Sequence, residues 1–379
     1  MKLTKLDEYP RHQLGLTFDS VGTSSPHWND GYYFALGDAA GRVGFFSGLR
    51  LYANNDVMDA FTCVASGGRQ HNMRFSRRLR PRIDDLDCGA MAVVIVEGLR
   101  RLRIRAGDNP YGIRYDLVWE GVTEPYNEEY VRQWSGGRLV GERSNYAQVC
   151  TVTGWLEVGG ERHEVDATRW TGVRDHSWGL GATGGPVLAH AAPGRPSAPI
   201  GLRQWVWIRF PDRSVFWQFH RSAAGVLTMF EAVCLYPRGD AREPFAYVNV
   251  EHELDFAPGT RRLRRGTVSL QRPDGVWERF LAEVITDPVY LEGGGYWQGF
   301  DDHLGRGIYR GDDHHEGEVW DVSQPGRLVD PAGRVKARAD AWAENFGRFT
   351  NRDNPAEIGI GHLECVVSGP YPGFSDELR

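Results

Sequence analysis

The run of residues 172–181, near the middle of the chain, concentrates side chains that could do chemistry. Asp175 directly precedes His176, and Trp178 follows two residues later, with glycines on both flanks. A neighbouring carboxylate can select the tautomer of an imidazole or raise its pKa. In an extended segment, His176 and Trp178 would share one side. We therefore predict that Asp175, His176 and Trp178 act on a substrate, with a turn capped by Asp175 as the structural alternative.

Aromatic side chains later in the chain could form the wall of an apolar cavity. Trp205 and Trp207 would share one face of a strand, and such a face inside a β-barrel can line a cavity for a large apolar ligand. Ordinary core packing is the alternative. The predicted substrate-binding residues are Trp205, Trp207, Trp217, Tyr296, Trp297 and Glu316.

A second polar cluster, residues 301–318, holds aspartates, histidines and glutamates that could bind a metal. Adjacent His314 and His315 would point to opposite faces of a strand, so they do not easily share one ion. His314, Glu316 and Glu318 would share a face. The chain contains no HExxH and no His-x-His. We expect no metal, and a metal-dependent enzyme that uses this cluster is kept as an alternative.

The sequence lacks the motifs that identify the common classes of nucleophilic and nucleotide-binding enzymes. We find no GxSxG, no GxxxxGK[ST] and no GxGxxG that opens a helix after a strand. Serine hydrolysis, ATP chemistry and hydride transfer to a nicotinamide are therefore disfavoured. We expect that the protein needs no cofactor.

Composition and net charge narrow the range of possible binding partners. The 379 residues carry a net charge of −6, which gives no basic footprint for nucleic acid. The five cysteines are far apart and form no CxxC, as expected in a reducing compartment. The N-terminus has no apolar signal segment, and the longest strongly apolar run, residues 91–96, is too short to span a membrane. We expect a cytoplasmic protein without stable membrane insertion, whose partner is a hydrophobic small molecule; its oligomeric state stays open.

Local patterns favour antiparallel β-structure. Aromatic strand-like runs alternate with glycine-rich turns, as in the predicted hairpins at 32–46 and 157–165. Helical periodicity is scarce. Residues 124–134 could form one short helix, and residues 336–346 fit either a helix or a strand.

The chain also suggests two similar halves. Residues 33–46 and 207–219 both read as an aromatic strand, an Asp-containing turn and a second aromatic strand. The proline-rich segment 181–201 would connect the halves or cover a site. We predict domains at 1–185 and 186–379, with the central motif at their junction, where pockets are common.

The run from Asp175 to Gly179 resembles the Asp-His-x-Trp-Gly signature of the AttH-like and carotenoid 1,2-hydratase group. Looser resemblance extends to residues 28–34 and 315–320. The resemblance implies two lipocalin-like β-barrels and activities such as adding water to isoprenoid double bonds or closing rings. In the carotenoid hydratases, a Tyr and an Asp further on are proposed to assist the His and Trp. Here that region offers Trp205 and Trp207 in place of a Tyr-x-Asp.

The sequence thus predicts an all-β protein of two consecutive antiparallel lipocalin-like barrels or sandwiches. Its expected function is cofactor-independent acid–base chemistry, as in a hydratase, dehydratase, isomerase or cyclase, on an isoprenoid-like or polycyclic substrate. Asp175 or protonated His176 would protonate an alkene or enol, and tryptophan faces would stabilise the cation. The rival interpretation from another class is a non-catalytic carrier of hydrophobic small molecules.

Overall fold

Two antiparallel β-sheets hold nearly all of the regular structure. The computed structural model describes residues 3–12, 14–135, 137–181, 201–324, 327–334 and 342–374. In these ranges the helices are three short 3-10 turns, Lys5–Glu8, Leu291–Gly294 and Tyr296–Gln298. None of them has the length or the apolar character needed to cross a membrane. The all-β prediction is confirmed.

The strands up to the central motif are β1 (Trp28–Asp38), β2 (Gly44–Tyr52), β3 (Val57–Ser66), β4 (Arg69–Arg78), β5 (Asp87–Cys88), β6 (Met91–Glu97), β7 (Arg101–Ala106), β8 (Ile113–Gly121), β9 (Tyr126–Asn127), β10 (Val131–Ser135), β11 (Arg138–Val158), β12 (Glu161–Val165) and β13 (Trp170–Leu180). Those that follow are β14 (Gly201–Arg209), β15 (Ser214–Arg221), β16 (Leu227–Leu235), β17 (Phe245–Ala246), β18 (Asn249–Phe256), β19 (Leu263–Gln271), β20 (Trp277–Val284), β21 (His314–Gln324), β22 (Arg327–Val329), β23 (Glu344–Asn351) and β24 (Ile358–Ser368).

Each sheet curls into a half-barrel. Among the described residues, the first sheet has the order β22-β21-β4-β3-β2-β1-β13-β11-β8-β7-β6-β5, and β9, β10 and β12 pair with β11. The second sheet has the order β17-β16-β15-β14-β24-β23-β20-β19-β18. The predicted boundary near residue 185 and almost all of 181–201 lie outside the described residues. Strands β21 and β22 come from the second half of the chain but join the first sheet through β4, so the domain division stays a prediction.

Alternation along the strands separates the cores. One face of the first sheet encloses an interior core that includes Phe34, Tyr115 and Trp119. The second sheet encloses its own core around Trp217 and Phe280. The remaining faces pack on each other and form a third, inter-sheet core from Phe46, Ala147, Val173, Trp207, Phe216 and Phe346. The inter-sheet core fixes how the two half-barrels meet, and the candidate site lies beside it.

The hairpins predicted at 32–46 and 157–165 are confirmed as β1 with β2 and β11 with β12. The helix predicted at 124–134 is wrong. That segment forms β9 and β10, which hydrogen-bond to the long strand β11. Pairing with an existing edge outweighs the local preference of a short segment. Of residues 336–346, positions 336–341 lie outside the described residues, and β23 begins at Glu344.

Candidate functional site between the two sheets

Strand β13 divides the central motif between its two faces. Asp175 and Ser177 lie opposite Tyr33 and Gly31 of β1 and face the second sheet. His176 and Trp178 point to the interior of the first sheet, with their ring centroids 5.5 Å apart. The expected shared face of His176 and Trp178 is therefore present. The expectation that Asp175 borders the same cavity as these two residues is wrong, because neighbouring residues of a strand point in opposite directions.

His176 finds its carboxylate and phenol partners on other strands. Its Nε2 lies 2.7 Å from Oδ1 of Asp30, and its Nδ1 lies 3.3 Å from the hydroxyl of Tyr146. The buried Arg174 donates to the same hydroxyl at 3.4 Å, and the ring of Tyr32 lies 4.5 Å from the imidazole. Burial raises the pKa of Tyr32. The series Asp30, His176 and Tyr146 can orient an imidazole and transfer protons at the mouth of the first half-barrel.

A cavity of about 360 Å³ lies between the sheets, on the other face of β13. Its wall includes Asp175 and three of the predicted aromatic residues, Trp205, Tyr296 and Trp297. This volume is at the lower end of the range of small-molecule sites. The structure thus brings one predicted acid and three predicted aromatic rings together.

The other predicted binding residues lie elsewhere. Trp207 stacks on Phe216 in the inter-sheet core, with ring centroids 4.4 Å apart. Trp217 is buried within the second sheet and donates its Nε1–H to Gln204 at 3.0 Å. Glu316 is held by the buried Arg74 at 3.0 Å. All three side chains are buried, the two tryptophans by core packing and the glutamate by its ion pair. None of them lines the cavity.

Two carboxyl groups are poorly solvated in the cavity wall. Glu128, between β9 and β10, is buried; its Oε1 accepts from Nε1 of Trp205 at 3.1 Å and its Oε2 from Nε2 of Gln218 at 3.3 Å. Burial raises the pKa of Glu128 to about 7, and the charge of Asp175 adds to the rise. Burial also raises the pKa of Asp175, against the opposing charges of Arg50 and Arg143. Near neutral pH, this pair can hold a proton.

Arg50 reaches this wall by crossing a neighbouring strand. It lies on β2 opposite Gly31 of β1, and its guanidinium donates to Oγ of Ser177 on β13 at 2.6 Å. A Cβ at position 31 would lie 2.5 Å from Cγ of Arg50 and 2.2 Å from the carbonyl oxygen of Leu49. Glycine at 31 is therefore what lets the arginine pass over β1.

We expect Gly31→Ala to displace Arg50 and to lower the free energy of unfolding by roughly 1–3 kcal/mol, the usual cost of overpacking. The matched control is Gly107→Ala, since a Cβ there would meet nothing within 4 Å. Urea unfolding of both variants measures the difference. Equal stability of the two variants would show that β1 and β2 relax freely and that Gly31 is not required for the crossing.

The second sheet contributes its own ionisable groups to the wall. Nε2 of His362 lies 2.8 Å from Oε2 of Glu344, and both residues are buried. Glu364 pairs with Arg203 at 2.5 Å, and burial raises the pKa of Glu364. The hydroxyl of Tyr33 has no hydrogen-bond partner among the described residues. These groups make the cavity amphipathic, with charged side chains beside aromatic rings.

Trp297 is held in an uncommon backbone conformation. Its φ is 45°, that of Gln298 is 76°, and Gly295 before them has φ of 83°. Left-handed conformations at non-glycine residues cost free energy and cluster at functional sites. The turn presents Tyr296 and Trp297 to the cavity, where Trp297 also contacts the ring of Trp342 at 5.1 Å.

The 301–318 cluster is organised by arginines. Glu316 and Glu318 pair with Arg74, Asp302 pairs with Arg310, and Asp312 pairs with Arg78. In the part of the chain that the structure describes, no group of three or more ligand-type side chains is placed to hold a metal ion. His314, Glu316 and Glu318 do share a face of β21, as the alternation predicted: His314 contacts Glu316 at 2.7 Å, and Arg74 contacts both Glu316 and Glu318.

Several residues of the wall were not identified from the sequence. Glu128 falls in the segment interpreted as a helix, and Arg50 lies in β2, a strand of mostly apolar residues. The signal that could have found others is a charged or imidazole group inside an apolar strand. His362 and Glu364, two apart in β24, fit that description. The residues added by the structure are Tyr33, Arg50, Glu128, Arg143, Arg203, Glu344, His362 and Glu364.

Comparison with solved structures supports the fold. A candidate AttH from Nitrosomonas europaea has a TM-score of 0.53 and 13% identity, and the match covers 89% of this chain and 92% of that chain. Kievitone hydratase from Nectria haematococca has a TM-score of 0.48 and 12% identity, with 92% of this chain and 93% of that chain covered. CghA has a TM-score of 0.49 and 12% identity, with 93% of this chain and 90% of that chain covered. At such identities the AttH match shows a shared fold alone.

No curated protein matches the sequence. One family model, described as a family of unknown function, DUF8625, matches residues 3–374. Because this match spans almost the entire sequence, the chain belongs to the family of unknown function DUF8625.

Proposed function

We propose that the protein is an enzyme that performs acid–base chemistry on an unsaturated, largely apolar small molecule in the cavity between the sheets. The observation that carries the proposal is the pair of poorly solvated carboxyls, Asp175 and Glu128, in a wall that also presents Trp205. A protonated carboxyl near neutral pH is a proton donor, and an aromatic face is a suitable neighbour for a developing cation.

The two carboxyls suit complementary roles. Glu128 is fixed by Trp205 and Gln218, whereas Asp175 is half-buried and its Oδ1 has no partner among the described residues. We assign proton delivery to Asp175 and the role of its charge partner to Glu128. Because each carboxylate disfavours ionisation of the other, the pair holds one proton more readily than none.

Proton transfer to a carbon–carbon double bond leads to three related outcomes. The cation can lose a neighbouring proton to the carboxylate, or it can add water, which then gives up a proton to the carboxylate. It can also be attacked by a second double bond, and the cyclic cation that forms then loses a proton to the carboxylate. These outcomes are isomerisation, hydration and cyclisation, and an isoprenoid-like or polycyclic compound would undergo any of them. Each forms a new bond between carbon and a proton from the enzyme, and the proposal requires no cofactor for it.

Solvent deuterium tests the proposal directly. Purified protein would be incubated in D₂O with a panel of short isoprenoid alcohols, isoprenoid acids and polycyclic enols, together with any compound extracted from the protein. Mass spectrometry should find protein-dependent incorporation of deuterium on carbon. Tight binding without incorporation would favour the carrier of hydrophobic molecules. Incorporation that disappears with a chelator and returns with a metal would instead favour the metal-dependent enzyme.

Asp175→Asn should lower the rate of incorporation on the order of 100-fold, the usual scale for a general acid. The amide keeps the size of the side chain but cannot deliver the proton. Trp205→Phe should weaken substrate binding with a smaller effect on the rate constant. His176→Ala is the informative comparison, because His176 lies on the other face of β13. If His176→Ala abolishes incorporation while Asp175→Asn does not, the reaction belongs to the Asp30, His176 and Tyr146 series instead.

A further inference from the structure

We propose that the molecule bound between the sheets carries an organic anion, such as a carboxylate, which lies between Arg50 and Arg143. Its apolar body would lie against Trp205 and Trp297. The inference rests on the proposed function only in taking this cavity as the substrate site, and it narrows the substrate to an amphipathic acid.

Arg50 is committed to neutral partners only. Its NH1 donates to Oδ1 of Asn29 at 2.5 Å and to the carbonyl oxygen of Ser177 at 3.3 Å, and its NH2 donates to Oγ of Ser177. Among the described residues, no carboxylate lies within 4 Å of its guanidinium. The contacts fix where the guanidinium is without neutralising it.

Arg143, on the other side of β13, likewise has no carboxylate among the described residues to neutralise it. It lies on β11 opposite Gly179, and Asn145, two residues on, lies opposite Ser177. Its Nε is buried and has no hydrogen-bond partner within the described ranges, which also place no carboxylate in ion-pair contact with it. By contrast Arg203, in the same wall, is paired with Glu364.

The register places Arg50 and Arg143 on strands that lie on either side of β13, which carries Ser177. Arg50 crosses β1 at Gly31 to reach Ser177, and Arg143 approaches from β11, one strand spacing away. A carboxylate over Ser177 could accept hydrogen bonds from both arginines and from the serine hydroxyl. Planar guanidiniums suit this recognition because they donate in pairs to carboxylate oxygens.

The carboxyls of the wall leave this positive charge available. The charges of both arginines favour the ionised form of Asp175, yet burial disfavours that form and its pKa is raised. When Asp175 and Glu128 share a proton, the ligand's anion supplies the missing negative charge. The cavity volume of about 360 Å³ suits a small acid rather than a peptide or nucleic acid.

A matched pair of probes tests the inference: 2-naphthylacetic acid and its amide, which share the apolar body and differ in charge. Isothermal titration should show the acid binding to the wild-type protein at least about tenfold more tightly, as expected for hydrogen bonds to a charged group. Arg143→Gln and Arg50→Gln should each remove most of this preference and leave the amide affinity unchanged. Arg143→Lys should keep part of it. Arg105→Gln, an exposed arginine of β7, is the control for the loss of one charge.

Equal affinity for the acid and the amide in the wild-type protein would overturn the inference. So would an equal loss for both probes in Arg143→Gln with the melting temperature unchanged. The result is separable from the proposed function. Preferential binding of the acid without any deuterium incorporation across the substrate panel would overturn the acid–base enzyme and leave the anion site standing.

Discussion

Arg74→Met should lower the free energy of unfolding by about 3–5 kcal/mol, the cost of leaving buried charges without their partner. Arg74 is 1% exposed and joins three separate parts of the chain. Its guanidinium donates to both oxygens of Glu318 at 2.9 Å, to Glu316 at 3.0 Å and to the carbonyl oxygen of Gly293 at 3.1 Å. Methionine fills the space but satisfies none of these groups.

The contacts of Arg74 link stability to the site. Glu316 and Glu318 belong to β21, which joins the first sheet through β4, and Gly293 belongs to the 3-10 turn that precedes Trp297. The variant should therefore also loosen the segment that presents Tyr296 and Trp297 to the cavity. Trp fluorescence during urea unfolding would report both effects.

Two comparisons decide whether the loss is electrostatic. The triple variant Arg74→Met, Glu316→Gln, Glu318→Gln removes the unpaired charges and should recover most of the stability. Arg78→Met, on the same strand, breaks exposed contacts with Asp56, Asp312 and Tyr309 and should change stability far less. A triple variant no more stable than Arg74→Met would mean that lost packing, not unpaired charge, causes the destabilisation.

Much of the fold could be predicted because its signals are local. Glycine-rich turns between aromatic strands identified the hairpins, and the period of two correctly put His176 with Trp178 and His314 with Glu316. The same period puts Asp175 on the face opposite His176. Treating Asp175 and His176 as one unit therefore conflicted with the strand that the sequence itself indicated. Residues that are adjacent in a strand have neighbouring backbone atoms, but their side chains lie on opposite faces.

No single segment of the sequence predicts the cavity. Its wall includes residues of β1, β2, β11, β13, β14, β23 and β24 and of the turn that holds Trp297, so it depends on how two sheets pack rather than on any one segment. The carboxylate beside His176 is Asp30, 146 positions away in sequence. The partners of Arg74 on β21 are more than 240 positions away. Contacts at such separations follow from strand order, which alternation and turn patterns do not specify.

Glu128→Gln should make the stability of the protein less dependent on pH. Burial raises the pKa of Glu128 from 4.5 to about 7 in the folded state. Between these two values the unfolded chain releases the proton while the folded protein keeps it, so stability falls as the pH rises. Over that window the loss amounts to roughly 3 kcal/mol for this one group. Glutamine cannot ionise, and the variant should not show this part of the decline.

Urea unfolding at pH 5 and pH 8 gives the change in the free energy of unfolding between the two pH values, and this change is compared between the wild type and the variant. The wild-type protein should lose more stability between the two pH values than Glu128→Gln does, and the exposed neighbour variant Glu129→Gln should behave like the wild type. The outcome also bears on the chemistry, because it shows whether Glu128 resists ionisation in the folded protein and can carry the proton of the carboxyl pair. If Glu128→Gln and the wild type decline in parallel, Glu128 is already charged at pH 5. The proton of the pair would then reside on Asp175, because the negative charge of Glu128 disfavours ionisation of Asp175.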